Sequence, residues 1–203
     1  MNSLVSIPAV PSRKPKPLHK ITGAKLSSRA IRSTAFHEIG HVIVGLEDGY
    51  TLDYVTVEPQ IIHGDGRREY VKDLPALETL TQGERYYLAW HTKDSYGHVT
   101  WNPGISIWDR DALPMIMAGE IARARAGHRA WRNGNGDPSS DDESIQHISS
   151  LQGIKDLQPY RQRAVQAVEK QWPVIESLAA LLQERHTLSS EDVKSHIGRA
   201  VAT

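Results

Sequence analysis

A mainly α-helical domain with a small β-hairpin is what this sequence predicts, on three observations. Apolar residues recur at three- and four-residue spacing through much of the chain. Only two short stretches, 52–58 and 96–101, alternate in the manner of strands, and clusters of Gly, Pro, Asn and Ser separate the segments.

The 203 residues suit one domain with an appended tail and are enough to bury a real core. Without cysteine, neither disulfides nor thiolate metal clusters can form, so any metal must be held by His, Asp or Glu. Charge is balanced overall but unevenly placed: Arg13, Lys14, Lys16, Lys20, Lys25, Arg29 and Arg32 all precede the first acid, Glu38. With Pro8, Pro11, Pro15 and Pro17 interrupting any helix, residues 1–26 read as a basic, Pro-rich flexible leader, solvated rather than docked on nucleic acid. No apolar run approaches the length of a membrane span and no secretory core is present, so a soluble, cytoplasmic protein is expected.

Ser27-Ser28 can cap a helix that runs to about Glu47, with Ile31, Ala35, Ile39, Val42, Ile43 and Leu46 as its apolar stripe and Gly49 as its stop. Leu52, Tyr54 or Val55, and Val57 mark a strand that Pro59 ends. Residues 60–68 read as a turn-rich loop and 74–90 as a helix; 96–101 is a second strand able to pair with the first, followed by the turn Asn102-Pro103-Gly104. Asp109 or Asp111 can cap a helix with Pro114 in its first turn, running towards Gly127 through a middle rich in small residues. After a loop at 132–138, Ser139-Ser140 caps a helix through Ile145, Ile148 and Leu151, and two further helices cover roughly 158–184 and 190–201.

The chemistry lies on the first helix. His37 and His41 are four residues apart, hence on one face one turn apart, and each can direct a ring nitrogen at a single Zn2+. Glu38, beside the first of them in this H-E-x-x-H pattern, is placed to act as a base towards an attacking water. Gly40 costs about 1 kcal/mol of helix propensity relative to Ala, which predicts that a backbone or the metal site approaches closely there. A hydrolytic zinc centre needs a third protein ligand. Asp141 is the leading choice because it stands in the first turn of a helix, with Asp142 its close rival; Glu120, His63, His91, His98 and His147 are lesser candidates.

The residues also resemble a known family. T-A-F-H-E-I-G-H-V-I-V-G (34–45) is similar to the zinc helix of the FtsH-type ATP-dependent metalloproteases. V-T-V-E-P (55–59) and G-H-V-T (97–100) resemble the hairpin strands of that peptidase domain, M-A-G-E-I-A (117–122) a later helix, and S-S-D-D-E-S-I-Q-H-I (139–148) the segment carrying the third ligand. L-A-A-L-L-Q-E-R-H-T-L-S-S-E-D-V (178–193) looks like its closing helices. The resemblance implies a helical zincin-type peptidase domain over 27–203, with His37, His41 and Asp141 on Zn2+ and Glu38 activating water. It also implies departures: an insertion at about 60–95 containing Tyr86, Tyr87 and Trp90, Glu120 where the family has arginine, and neither the ATPase module nor the membrane anchor.

The expected function is therefore an ATP-independent zinc endopeptidase acting on unfolded or flexible protein segments. A separate ATPase or another protein partner could deliver them, and the oligomeric state is open. The alternative is a zinc-stabilised, non-catalytic module that binds protein partners through the insertion.

Overall fold

In the computed structural model, residues 28–58, 60–62, 68–70, 98–101, 110–128 and 140–201 are described. Helix α1, Ser28–Glu47, is the element around which the others pack. Its N-terminal half shows the expected one-sided burial, but from Glu38 to Gly45 every residue is buried. The single apolar stripe is thus too narrow a description, because helices and sheet cover this stretch from all sides. Gly49, at φ 86°, supplies the left-handed turn that ends the connection.

The chain then enters β1, Leu52–Thr56, the middle strand of a three-stranded antiparallel sheet. One neighbour is the expected partner, β4 (His98–Trp101), with Val55 opposite Val99 and a register irregularity between Leu52 and Tyr54. The other is β5, Thr187–Ser189, which the sequence reading did not anticipate. Three residues between two helices carry too little periodicity to announce a strand. Long-range bonds hold it: the His186 carbonyl accepts from Val57 N at 2.9 Å and from Thr56 Oγ1 at 3.0 Å.

Part of the segment read as a turn-rich loop also pairs. β2 (Gln60–Ile62) and β3 (Arg68–Tyr70) form an antiparallel ladder, with Ile61 opposite Glu69. The leader, the helix expected at 74–90, the turn at 102–104 and the loop at 132–138 lie outside the described residues.

Helix α2, Leu113–Arg125, follows a 3-10 turn at Arg110–Ala112. Asp111 does not cap it. Ala112 occupies the cap position without a side-chain bond, while Pro114 sits in the first turn as expected. Gly127, at φ 80°, closes its C-terminus, and His128 N donates back to the Arg123 carbonyl at 3.1 Å. Helix α3, Ser140–Gln152, stops at Gly153. The single helix expected over 158–184 is two, α4 (Gln158–Lys170) and α5 (Trp172–Arg185), separated at Gln171. Pro173 is the reason: it has no N–H to donate, and its ring opposes the carbonyl four residues back. Helix α6, Ser190–Val201, forms where it is expected.

Ile39, Val42 and Val44 of α1, Leu52 and Val55 of β1, Leu113 of α2, Ile148 of α3, Ile175, Leu178 and Leu182 of α5, and Leu188 of β5 are at most 1% exposed. Each such side chain contributes about 1.5–3 kcal/mol by leaving water. Among the described residues the architecture is mainly helical, with one small antiparallel sheet and one short hairpin. No described helix is long and apolar enough to cross a membrane.

Candidate metal centre

The positions of α1 and α2 follow from two glycines. A Cβ on Gly40 would lie 2.5 Å from the Ala118 carbonyl oxygen and 2.8 Å from Ala122 Cβ, so the helices are in backbone contact there. This is the close approach that a glycine inside the motif predicts. A Cβ on Gly119 would lie 2.4 Å from His41 Nε2 and 2.9 Å from His37 Cε1. Glycine thus leaves room on α2 for both imidazoles. Sequence reasoning gave Gly119 no role; a glycine inside the small-residue stretch of α2 was the available signal.

The N-terminal turn of α3 brings in the third group. Asp141 Oδ2 is 3.0 Å from His37 Nε2 and 3.3 Å from His41 Nε2, and the two ring nitrogens are 3.1 Å apart. His41 Nδ1 is 2.8 Å from the Met115 carbonyl oxygen, which can only accept. Nδ1 therefore carries a proton, and in the neutral ring Nε2 presents a lone pair. That lone pair faces a carboxylate oxygen and a second imidazole nitrogen. Such a cluster repels itself unless a proton or a cation lies among the three atoms. Although close, Asp141 Oδ2 is buried and makes no well-aligned hydrogen bond with the described residues; His37 Nδ1 is likewise buried and unpartnered among them.

The donor set fits a metal ion. Zinc ligand bonds of 2.0–2.1 Å in a tetrahedron place neighbouring ligand atoms about 3.3–3.4 Å apart, close to the separations seen here. The carbonyl that fixes His41 is the kind of outer partner that orients metal-ligating histidines. His37, His41 and Asp141 thus form a group able to hold a metal ion.

Asp142 is exposed and outside this group, as is His147. Glu120 is turned to another use, pairing with Arg123 one turn along α2. His63 and His91, and the side chain of His98, lie outside the described residues.

Glu38 is 7% exposed, and burial raises its carboxyl pKa, with Asp141 adding to the rise and the charges of His37 and His41 opposing it. For His41 burial also opposes the charge most strongly. The charge and close contact of Asp141, then Glu38 and the Met115 carbonyl, outweigh it and push the pKa up to about 9. Asp141 is held well below the usual carboxylate range, its burial overcome by His41 and His37.

In the metal-free protein a raised His41 pKa stabilises the fold below the unfolded value and loses that contribution as pH rises through about 9. Asp141, being depressed, contributes above its unfolded value and loses that contribution as pH falls. A metal ion must displace the His41 proton. Zinc binding near pH 7 is therefore expected to release about one proton from this residue. Calorimetric titrations in two buffers of different ionisation enthalpy check this; an observed heat independent of buffer would contradict it.

The fold and site define a class: a mainly helical domain with a His2Asp cluster at the junction of three helices and a buried glutamate beside the first histidine. No protein-family model matches the chain, and no curated protein matches it significantly.

Proposed function

We propose that this chain is a zinc-dependent endopeptidase that hydrolyses peptide bonds in unfolded or flexible protein segments, of the kind its sequence resembles in the FtsH-type metalloproteases. One observation carries the reading: His37 Nε2, His41 Nε2 and Asp141 Oδ2 converge to within 3.0–3.3 Å of one another, with Glu38 next to the first of them. Two histidines and one carboxylate are a ligand set of catalytic zinc sites, which keep one position for water. When bound, zinc supplies a Lewis acid that polarises a carbonyl and makes water a nucleophile near neutral pH.

The remaining work falls to the chain's own groups. Glu38 takes a proton from the attacking water at its carboxylate and returns it to the leaving amine nitrogen. Its burial favours proton uptake, as a base that must later act as an acid requires. Met115 holds the His41 ring through Nδ1, and Gly119 leaves space for both rings. The His37 and Asp141 side chains are 19% and 20% exposed, and that of His41 only 11%. A scissile bond must therefore reach groups that are about four-fifths or more buried, which suits an extended, unfolded segment better than the surface of a folded domain.

Glu38→Gln tests the chemistry apart from the metal. It is expected to keep zinc while losing about 10²–10⁴-fold in cleavage of an unfolded protein such as casein. Undiminished cleavage would remove Glu38 from the mechanism. Zinc binding without cleavage by the wild-type chain on any unfolded substrate would favour the non-catalytic binding module instead.

A further inference from the structure

Two stretches of this sequence are rich in arginine and lysine and contain no acid. Residues 1–37 hold the seven cations that precede Glu38, and residues 121–136 hold Arg123, Arg125, Arg129 and Arg132 with His128. The sequence alone reads residues 1–26 as a solvated leader with a helix starting after them, and leaves the two stretches far apart. The packing of α1 on α2 changes that. Gly45 meets Met115, Gly40 meets Ala118 and Ala122, and Phe36 meets His128 with ring centroids 6.2 Å apart. The helices therefore run antiparallel, and the start of α1 lies beside the end of α2.

At this end two guanidinium groups lie against an aromatic column. Arg125 lies 4.2 Å above the Trp172 ring, Trp172 stacks on Phe36 at 5.6 Å, and Arg32 lies 5.7 Å from the Phe36 ring. Arg29 precedes Arg32 by three residues, on the same side of α1. All three arginines are exposed. Glu120 pairs with Arg123 and Glu169 with Arg125, whereas among the described residues no carboxylate is found in ion-pair range of Arg29 or Arg32. The excess positive potential is felt by His128, whose pKa is lowered first by burial and then by Arg32, Arg29 and Arg123.

We propose that this end of the α1–α2 pair, presenting Arg29, Arg32 and Arg125, is a docking surface for the phosphate backbone of nucleic acid. Charge complementarity selects this occupant. The planar guanidinium fork matches phosphate oxygens bidentately, and cations aligned along a helix suit a regularly charged polymer. A protein interface would want an apolar anchor, and a membrane surface an insertable apolar face. Here the large aromatics are committed to packing: Phe36 is 5% exposed, and the Trp172 ring lies between Phe36 and Arg125. With no free ring at this end among the described residues to receive a base, recognition is through phosphates and independent of sequence. This surface is separate from the metal-ligand group, and its test does not depend on peptidase activity.

The full chain is titrated into a fluorescein-labelled, mixed-sequence DNA duplex across a salt series, followed by anisotropy. The double variant Arg29→Gln/Arg32→Gln is compared with Lys155→Gln/Lys194→Gln, which removes the same charge from exposed positions elsewhere. Circular dichroism confirms that both fold. The expected result is salt-sensitive binding that the arginine variant weakens several-fold, with a log–log salt slope shallower by about 2, while the lysine variant stays near wild type. No binding by wild type, an equal loss in the two variants, or equally tight binding of polyglutamate or anionic lipid vesicles overturns the proposal.

Discussion

Asp141→Ala is expected to strip the purified protein of its zinc, whereas Asp142→Ala keeps the wild-type stoichiometry. The two aspartates are adjacent on the first turn of α3, but successive helical residues point about 100° apart, and only Asp141 reaches the histidines. Removing Asp141 takes away one of three donor atoms and the negative charge that most favours a cation between His37 and His41. Its loss should exceed the 10–100-fold in metal affinity that removal of an outer-shell partner typically costs. Metal analysis after equilibration with buffered zinc reads the difference directly. Equal zinc in wild type and both variants would remove Asp141 from the ligand set.

Gly119→Ala should have an effect of the opposite sign to the one helix propensity gives. In an ordinary helix interior the change stabilises by about 0.5–1 kcal/mol. Here the added methyl would stand 2.4 Å from His41 Nε2, 2.5 Å from His41 Cε1 and 2.9 Å from His37 Cε1, so one or both rings must rotate. Rotation of His41 also breaks its bond to the Met115 carbonyl. The expected result is at least about a tenfold loss of zinc affinity, comparable with the loss of an outer-shell partner. The gain in Tm that zinc confers on wild type should shrink accordingly. Zinc affinity equal to wild type would show that the ring positions do not depend on the missing side chain.

Much of the helical framework was legible locally. The limits of α1, the breaks at Gly49 and Gly127, and the positions of Pro114 and the final helix all follow from capping, glycine and proline chemistry acting within a few residues. So did the spacing of His37 and His41, because a helix places residues four apart on one face. What was missed depends on distant partners. β5 exists because β1 offers an edge to Thr187–Ser189, whereas the split between α4 and α5 has a local cause, Pro173, that apolar spacing alone runs through. Burial of α1 on all sides from Glu38 to Gly45 likewise comes from what packs on it.

For the candidate site, the sequence determined the two histidines, the adjacent glutamate and a close approach at Gly40, since each belongs to a single helix and its period. Choosing between Asp141 and Asp142, giving Gly119 its purpose, tying His41 to Met115 and placing Arg29 and Arg32 at the same end as Arg125 required the tertiary structure. Those features depend on how α2 and α3 meet α1, and the distances that decide them, between 2.4 and 3.3 Å at the histidine cluster, are set by packing between segments about a hundred residues apart or less in the chain.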